Sequence, residues 1–222
     1  MENEERNQIL IQINDILYNL ESRLSEPSRI EEDLFLGGRR SAHDVEKLSS
    51  LGITHVLNCA GKDLGIDQSF YGNEFILKSI EAEDSEDFPI IPKFFEESKE
   101  FLIDAHEKKG KVLIACGAGV NRSATICVAY HMWRRQIKVT KAIEEVFQNR
   151  KMILSNEGFR GLLVDLAFTF GLIWVSENIK MLKLEVEILC INLYLNLKVE
   201  NWQLKLKQSF DIVSSNLVLN VF

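Results

Sequence analysis

Proline is scarce in this chain, three residues in 222, which excludes a polyproline linker or a Pro-rich recognition tract. Cysteine is scarce as well. Cys59, Cys116, Cys127 and Cys190 lie far apart, unlike the dense framework of a small secreted domain. The opening MENEERNQ is polar and acid-rich, without the apolar core of a secretory signal or the basic, acid-poor character of a transit peptide. Reduced thiols in the cytosol or nucleus are therefore expected. No long hydrophobic run is present either. The longest nearly apolar stretch, Leu162–Val175, has 14 residues and contains Asp165 and Thr169, whereas a spanning helix needs ~20. The chain carries no internal repeat and no low-complexity tract.

Positive charge is also in deficit. The net charge is −7, with 26 Lys and Arg against 33 Asp and Glu, which argues against a general nucleic-acid binder. The distribution is uneven. Residues 26–100 are strongly acidic, whereas residues 101–171 carry a basic excess. A basic segment in an acidic protein suits a local anion site, although solvated helix faces account for most individual lysines. At 46% apolar and 27% charged, the composition is that of a folded globular chain.

Hydrophobic periodicity divides the chain into an N-terminal amphipathic helix within 1–27, an α/β domain over 28–172 and a C-terminal extension over 173–222. Leu10, Ile13, Leu17, Leu20 and Leu24 recur at steps of three and four along one helical face, and Pro27 follows its end. Strands are expected at DLFLGG, ITHVLNC, EFILKSI and KVLIA. Helices are expected from Ser41–Asp44, read as a capping-box relative, to Gly52; from Pro92 to about Lys108; over Ala124–Arg135; from a Thr140 cap to Asn149; and over Gly158–Phe170. This alternation predicts a largely parallel sheet flanked by helices. The extension lacks glycine and proline and alternates with period two in KLEVEI, NLYLNLKVE and QLKLK. It reads equally as an added hairpin, an interaction segment or an extension without regular structure.

Chemistry concentrates in the turn Cys116-Gly-Ala-Gly-Val-Asn-Arg-Ser123, between a buried strand and an amphipathic helix. Glycines let successive backbone N–H groups converge, and the helix adds its positive end. Gly117, Ala118, Gly119, Val120, Asn121 and Arg122 would thus cradle a tetrahedral dianion, with the planar fork of Arg122 folded back over two of its oxygens. The sulfur of Cys116 lies at the bottom, where a helix N-terminus and a cation favour the thiolate. A lone cysteine is more often a small buried hydrophobe. Here it coincides with glycine, arginine and a hydroxyl on a strand–turn–helix.

The pattern C-x2-G-x2-R-S resembles the signature of cysteine-dependent protein phosphatases. Together with RIEEDLFLGG, LGITHVLN, IEAEDSEDF and NRKMILSNEGF, it is similar to the small atypical dual-specificity phosphatases over about Ser28–Leu172. That resemblance implies a mostly parallel five-stranded sheet of the protein tyrosine phosphatase type, no metal or organic cofactor, and phosphorylated proteins, kinases among them, as substrates. It implies Cys116 as nucleophile and Asp84 as general acid, with Asp87 the rival within the same acidic run. Ser123 would stabilise the departing thiolate, with a helix N-cap as its ordinary alternative. The loop interior has no lysine, which disfavours polyphosphorylated lipid headgroups.

One departure stands out. The family places histidine before the cysteine, and this chain has Ala115. The thiolate is then less stabilised, which implies weakened hydrolysis, and a pseudophosphatase that binds phosphoproteins is the alternative. Cys59 is either a buried strand residue or a partner for an oxidised Cys116. No two of the four histidines have metal-ligand spacing with a carboxylate, so they read as structural. Asn156 reads as a helix cap.

Overall fold

The computed structural model describes residues 2–17 and 27–172. The extension over 173–222 lies outside the described residues, and so does the strand pattern expected there. Five strands form one sheet: β1 (Ser28–Arg29), β2 (Leu34–Gly37), β3 (His55–Asn58), β4 (Ile76–Ser79) and β5 (Val112–Ala115). Their spatial order is β1-β2-β5-β3-β4. All neighbours run parallel except the β1–β2 pair. The expected α/β architecture is present. β5 is central and every residue of it is buried, which is why KVLIA is continuously apolar rather than alternating.

Eight α-helices and a short 3-10 helix (Gly61–Leu64) complete the regular elements among the described residues: α1 (Glu2–Leu17), α2 (Arg39–His43), α3 (Val45–Ser50), α4 (Gln68–Tyr71), α5 (Ile90–Glu107), α6 (Arg122–Arg135), α7 (Val139–Asn149) and α8 (Glu157–Phe170). α6 leaves the cradle loop directly and is buried along most of its length. The helix expected at the N-terminus is α1. It is described only to Leu17, so Leu20 and Leu24 lie outside the described residues. Its buried side chains are Ile9 and Ile13, with Leu10, Ile16 and Leu17 packed alongside. Arg6 pairs with Asp165 of α8 at 2.7 Å, and Arg160 of α8 donates to Asn14. The helix is thus part of the domain's packing rather than a separate element.

Three helix starts differ from the sequence reading. Ser41 lies inside α2, and Asp44 itself caps α3 by accepting from the Lys47 amide at 3.0 Å. A carboxylate one residue before the helix satisfies an orphan N–H more directly than the capping box would. Thr140 is within the first turn of α7, whose N-cap position is Lys138. Ser123 is within α6, whose N-cap position is Asn121. Asn156 does cap α8, accepting from the Phe159 amide at 3.1 Å.

Candidate active site

The cradle stands at the C-terminal end of β5, where parallel sheets place their ligands. Its backbone orientation follows from where its carbonyls go. Gly117 O accepts from Arg39 N at 2.9 Å, Val120 O from Leu154 N at 2.7 Å and Asn121 O from Thr125 N at 2.8 Å. Ala118 O and Gly119 O accept from Arg150 Nη2 and Nε at 3.1 and 2.7 Å. Because the N–H and C=O of a planar peptide point opposite ways, carbonyls engaged outward turn the N–H groups that follow them to the other side. Gly119 N donates to Cys116 Sγ at 3.3 Å. Five backbone dipoles are thereby preset for an anion before any anion arrives.

Glycine is required at two places here. Gly119 has φ +69°, and a Cβ on it would come within 2.4 Å of Gly37 O. Gly38 packs so closely on the loop that a Cβ would lie 3.0 Å from Ala118 O. The Gly37-Gly38 pair, read in the sequence only as the end of a strand, is where β2 makes room for the cradle.

Cys116 is 1% exposed. Its sulfur accepts a second hydrogen bond, from Ser123 Oγ at 3.1 Å, so the hydroxyl faces the thiol rather than capping α6. Arg122 folds back as expected, with Nη2 alongside Gly117. Its Nη1 donates to Ala82 O at 3.2 Å. Two carboxylates stand near it, Asp84 Oδ2 at 3.8 Å from Nε and Asp63 Oδ2 at 3.9 Å from Nη1. Nε itself is buried without a hydrogen-bond partner. A buried guanidinium donor without a partner is a group awaiting an acceptor.

Asp84 is brought to this site. Its Oδ1 accepts from Asn121 Nδ2 at 3.1 Å and from Asn156 Nδ2 at 3.2 Å. Asp84 and Asp87 are both exposed, and of the two it is Asp84 that accepts from Asn121 and Asn156. Arg150 is the functional residue that sequence reasoning missed. It is 1% exposed and also donates to Ser28 Oγ at 3.3 Å. The signal was a charged residue in NRKMI with no helical face to occupy, which spacing alone could not interpret.

Ala115 is wholly buried and presents no polar group beside the cysteine. Cys59 follows β3, and its amide donates to Ala115 O at 2.7 Å. Burial pushes its thiol well above the ordinary range, as expected of an inert core thiol. The same holds for Cys127 on α6, again through burial. Among the described residues, no group of three His, Cys, Asp or Glu side chains could hold a metal ion, and no helix is long and apolar enough to cross a membrane.

Residues 34–167 match the family model described as dual specificity phosphatase, catalytic domain, and the chain belongs to that family. It is 33% identical over 141 residues to dual specificity protein phosphatase PHS1 of Arabidopsis thaliana, covering 64% of this chain and 15% of that protein. It is 37% identical over 138 residues to dual specificity protein phosphatase 4 of Gallus gallus, covering 62% of this chain and 36% of that one. The chain thus spans only a minor part of the length of these relatives. Among solved structures it resembles the human tyrosine phosphatase-like serine/threonine/tyrosine-interacting protein, at 29% identity and TM-score 0.57, over 65% of this chain and 97% of that one. Human DUSP28 has the same fold, at 24% identity and TM-score 0.59, over 65% and 97%.

Proposed function

We propose that this protein is a cysteine-dependent phosphatase of phosphotyrosine and phosphoserine/threonine in proteins, with activity reduced by Ala115. The observation that carries the reading is the preset cradle: carbonyls held outward, amides turned in, and Cys116 Sγ at the centre accepting from Gly119 N and Ser123 Oγ. The thiolate attacks phosphorus while the amides of Gly117 to Arg122 and the Arg122 guanidinium hold the three equatorial oxygens. The bond from phosphorus to the ester oxygen breaks, and Asp84 gives that oxygen its proton. Water then attacks the cysteinyl phosphate, Asp84 takes a proton from it, and the P–S bond breaks. The Ser123 hydroxyl meets the departing thiolate. A free thiolate requires a reducing compartment, so the cytosol and nucleus are its expected places of action.

The second reading is a phosphoprotein-binding module. Ala115 favours it, as does the likeness to a solved protein whose name is phosphatase-like and interacting. One experiment separates the two. Steady-state turnover is measured on phosphotyrosyl and phosphothreonyl peptides, with Cys116→Ser as control. A phosphatase turns over both, Cys116→Ser abolishes turnover and retains oxyanion binding, and Arg122→Ala loses both. Peptide binding without turnover in the unaltered protein supports the binding module instead.

A further inference from the structure

Asp84 is held by side-chain amides whose orientations are dictated by the backbone. Asn121 Oδ1 accepts from the Asn156 backbone N–H at 3.1 Å and from Ser155 Oγ at 3.0 Å. A backbone N–H can only donate, so the Asn121 oxygen must face it and Nδ2 must face Asp84. The same reasoning fixes Asn156. Its Oδ1 accepts from Phe159 N, which turns its Nδ2 toward Asp84. Both amides therefore deliver N–H groups to a single oxygen, Oδ1, at 3.1 and 3.2 Å. Oδ2 receives only a longer contact, 3.4 Å from Asn121, and it is the oxygen that stands 3.8 Å from Arg122 Nε on the cradle side.

We infer that Asn121 is a positioning residue that gives the two oxygens of Asp84 different tasks: Oδ1 is anchored, and Oδ2 carries the transferable proton. This rests on the phosphatase reading above. A proton on Oδ1 would point an O–H at two N–H donors and lose both acceptor contacts, so the neutral acid keeps its proton on Oδ2. In the first half-reaction that proton passes to the leaving oxygen as its bond to phosphorus breaks. In the second, Oδ2 receives a proton from the attacking water as the P–S bond breaks. The carboxylate begins and ends protonated. Asn121 contributes more than a contact, because its amide joins the acid loop to the start of α8 across the cradle itself. The acid is thereby registered to the cradle before an oxyanion binds.

The test compares unaltered protein and Asn121→Ala on 4-nitrophenyl phosphate, whose leaving group needs little protonation, and on a phosphoserine peptide, whose alkoxide needs it fully. Orthovanadate binding reports on the cradle. A general acid is worth ~10²–10⁴ in rate. Expected is a loss on the phosphoserine peptide at least about tenfold greater than on the aryl ester, with vanadate affinity retained. In an Asp84→Asn background, the extra loss that Asn121→Ala causes on the phosphoserine peptide should then shrink. Equal losses on both esters, lost vanadate binding, or an undiminished loss in the Asp84→Asn background would overturn the inference while leaving the phosphatase reading standing. No turnover by the unaltered protein would overturn both together.

Discussion

The two ends of the sheet handle polar groups in opposite ways. At the end away from the cradle, a cleft of about 610 Å³ is lined by Glu31, Asp33, His106, His131, Arg134 and Glu145. There the charges meet one another. His131, 4% exposed, is bracketed by Glu31 at 2.5 Å and Glu145 at 2.7 Å. Arg134 pairs with Asp33 at 2.9 Å and Glu31 at 3.3 Å, and His106 pairs with Asp33 at 2.6 Å. At the cradle end, by contrast, the Cys116 thiol accepts from the Gly119 amide and the Ser123 hydroxyl, and Arg122 Nε is buried without a hydrogen-bond partner. Similar residue types are used at both ends. The difference is closeness: at the far end the opposing charges are in direct hydrogen-bond contact, whereas the carboxylates near Arg122 stand 3.8 and 3.9 Å away and its Nε keeps no hydrogen-bond partner, which separates an internal brace from a candidate active site.

Arg150 serves the cradle but is itself engaged, donating to Gly119 O, Ala118 O and Ser28 Oγ. Arg150→Ala leaves Gly119 O buried without its donor, at a cost of about 1–3 kcal/mol, and removes the part-buried contact to Ala118 O. We expect a large drop in the denaturation midpoint, and loss of orthovanadate binding where the variant remains folded. A folded variant that binds vanadate normally would show that the outward carbonyls do not preset the amides.

Asp84→Ala comes next, with an expected loss approaching the ~10²–10⁴ worth of a general acid on a phosphoserine ester and a much smaller one on an activated aryl phosphate. The same pattern in Asp87→Ala, and not in Asp84→Ala, would move the role one turn of loop away.

At the paired end the expected effect is on stability and its pH dependence. Burial by itself lowers the His131 pKa, but hydrogen bonds to Glu31 and Glu145 outweigh it and hold the imidazole above its ordinary value. Only the charged ring has two N–H groups, one for each carboxylate. A folded-state pKa above the unfolded one stabilises the fold fully below pH ~6.5 and less as pH rises through the folded value. Glu31 has the opposite sign. Burial raises its pKa, but His131 and Arg134 outweigh this and hold it down, so its contribution is lost in acid. Urea midpoints should therefore fall as pH rises above about 6.5 in the unaltered protein. In His131→Gln that slope should flatten. An unchanged slope would mean that another group titrates there.

The smallest effect is expected at Ala115. If the missing histidine explains weak turnover, Ala115→His should raise it by up to about tenfold, equivalent to ~1.4 kcal/mol. It should also move iodoacetamide labelling of Cys116 to lower pH, provided that the thermal midpoint shows the buried strand has accommodated the ring. Identical labelling curves and rates would make the position irrelevant here.

The amino-acid order alone determined what is local: the buried β5, the glycines of the turn, the helix after it, and the cluster of Cys116, Arg122 and Ser123 within eight residues. Such features are legible because backbone angles, side-chain periodicity and near-neighbour chemistry are set by adjacent residues. Choosing Asp84 over Asp87 depended on family resemblance, since spacing could not separate them. Tertiary structure decided the rest. Asn121 reaches Asp84 across 37 positions and Ser155 across 34, Arg150 reaches Gly119 across 31, and Gly38 meets Ala118 only because β2 and β5 pair in register. Hydrogen-bond partners within ~3 Å are fixed by where the chain returns in space, and no local pattern records that return. The nucleophile could thus be read from its loop, while the groups that hold the loop open and aim its acid became visible only once the sheet had assembled.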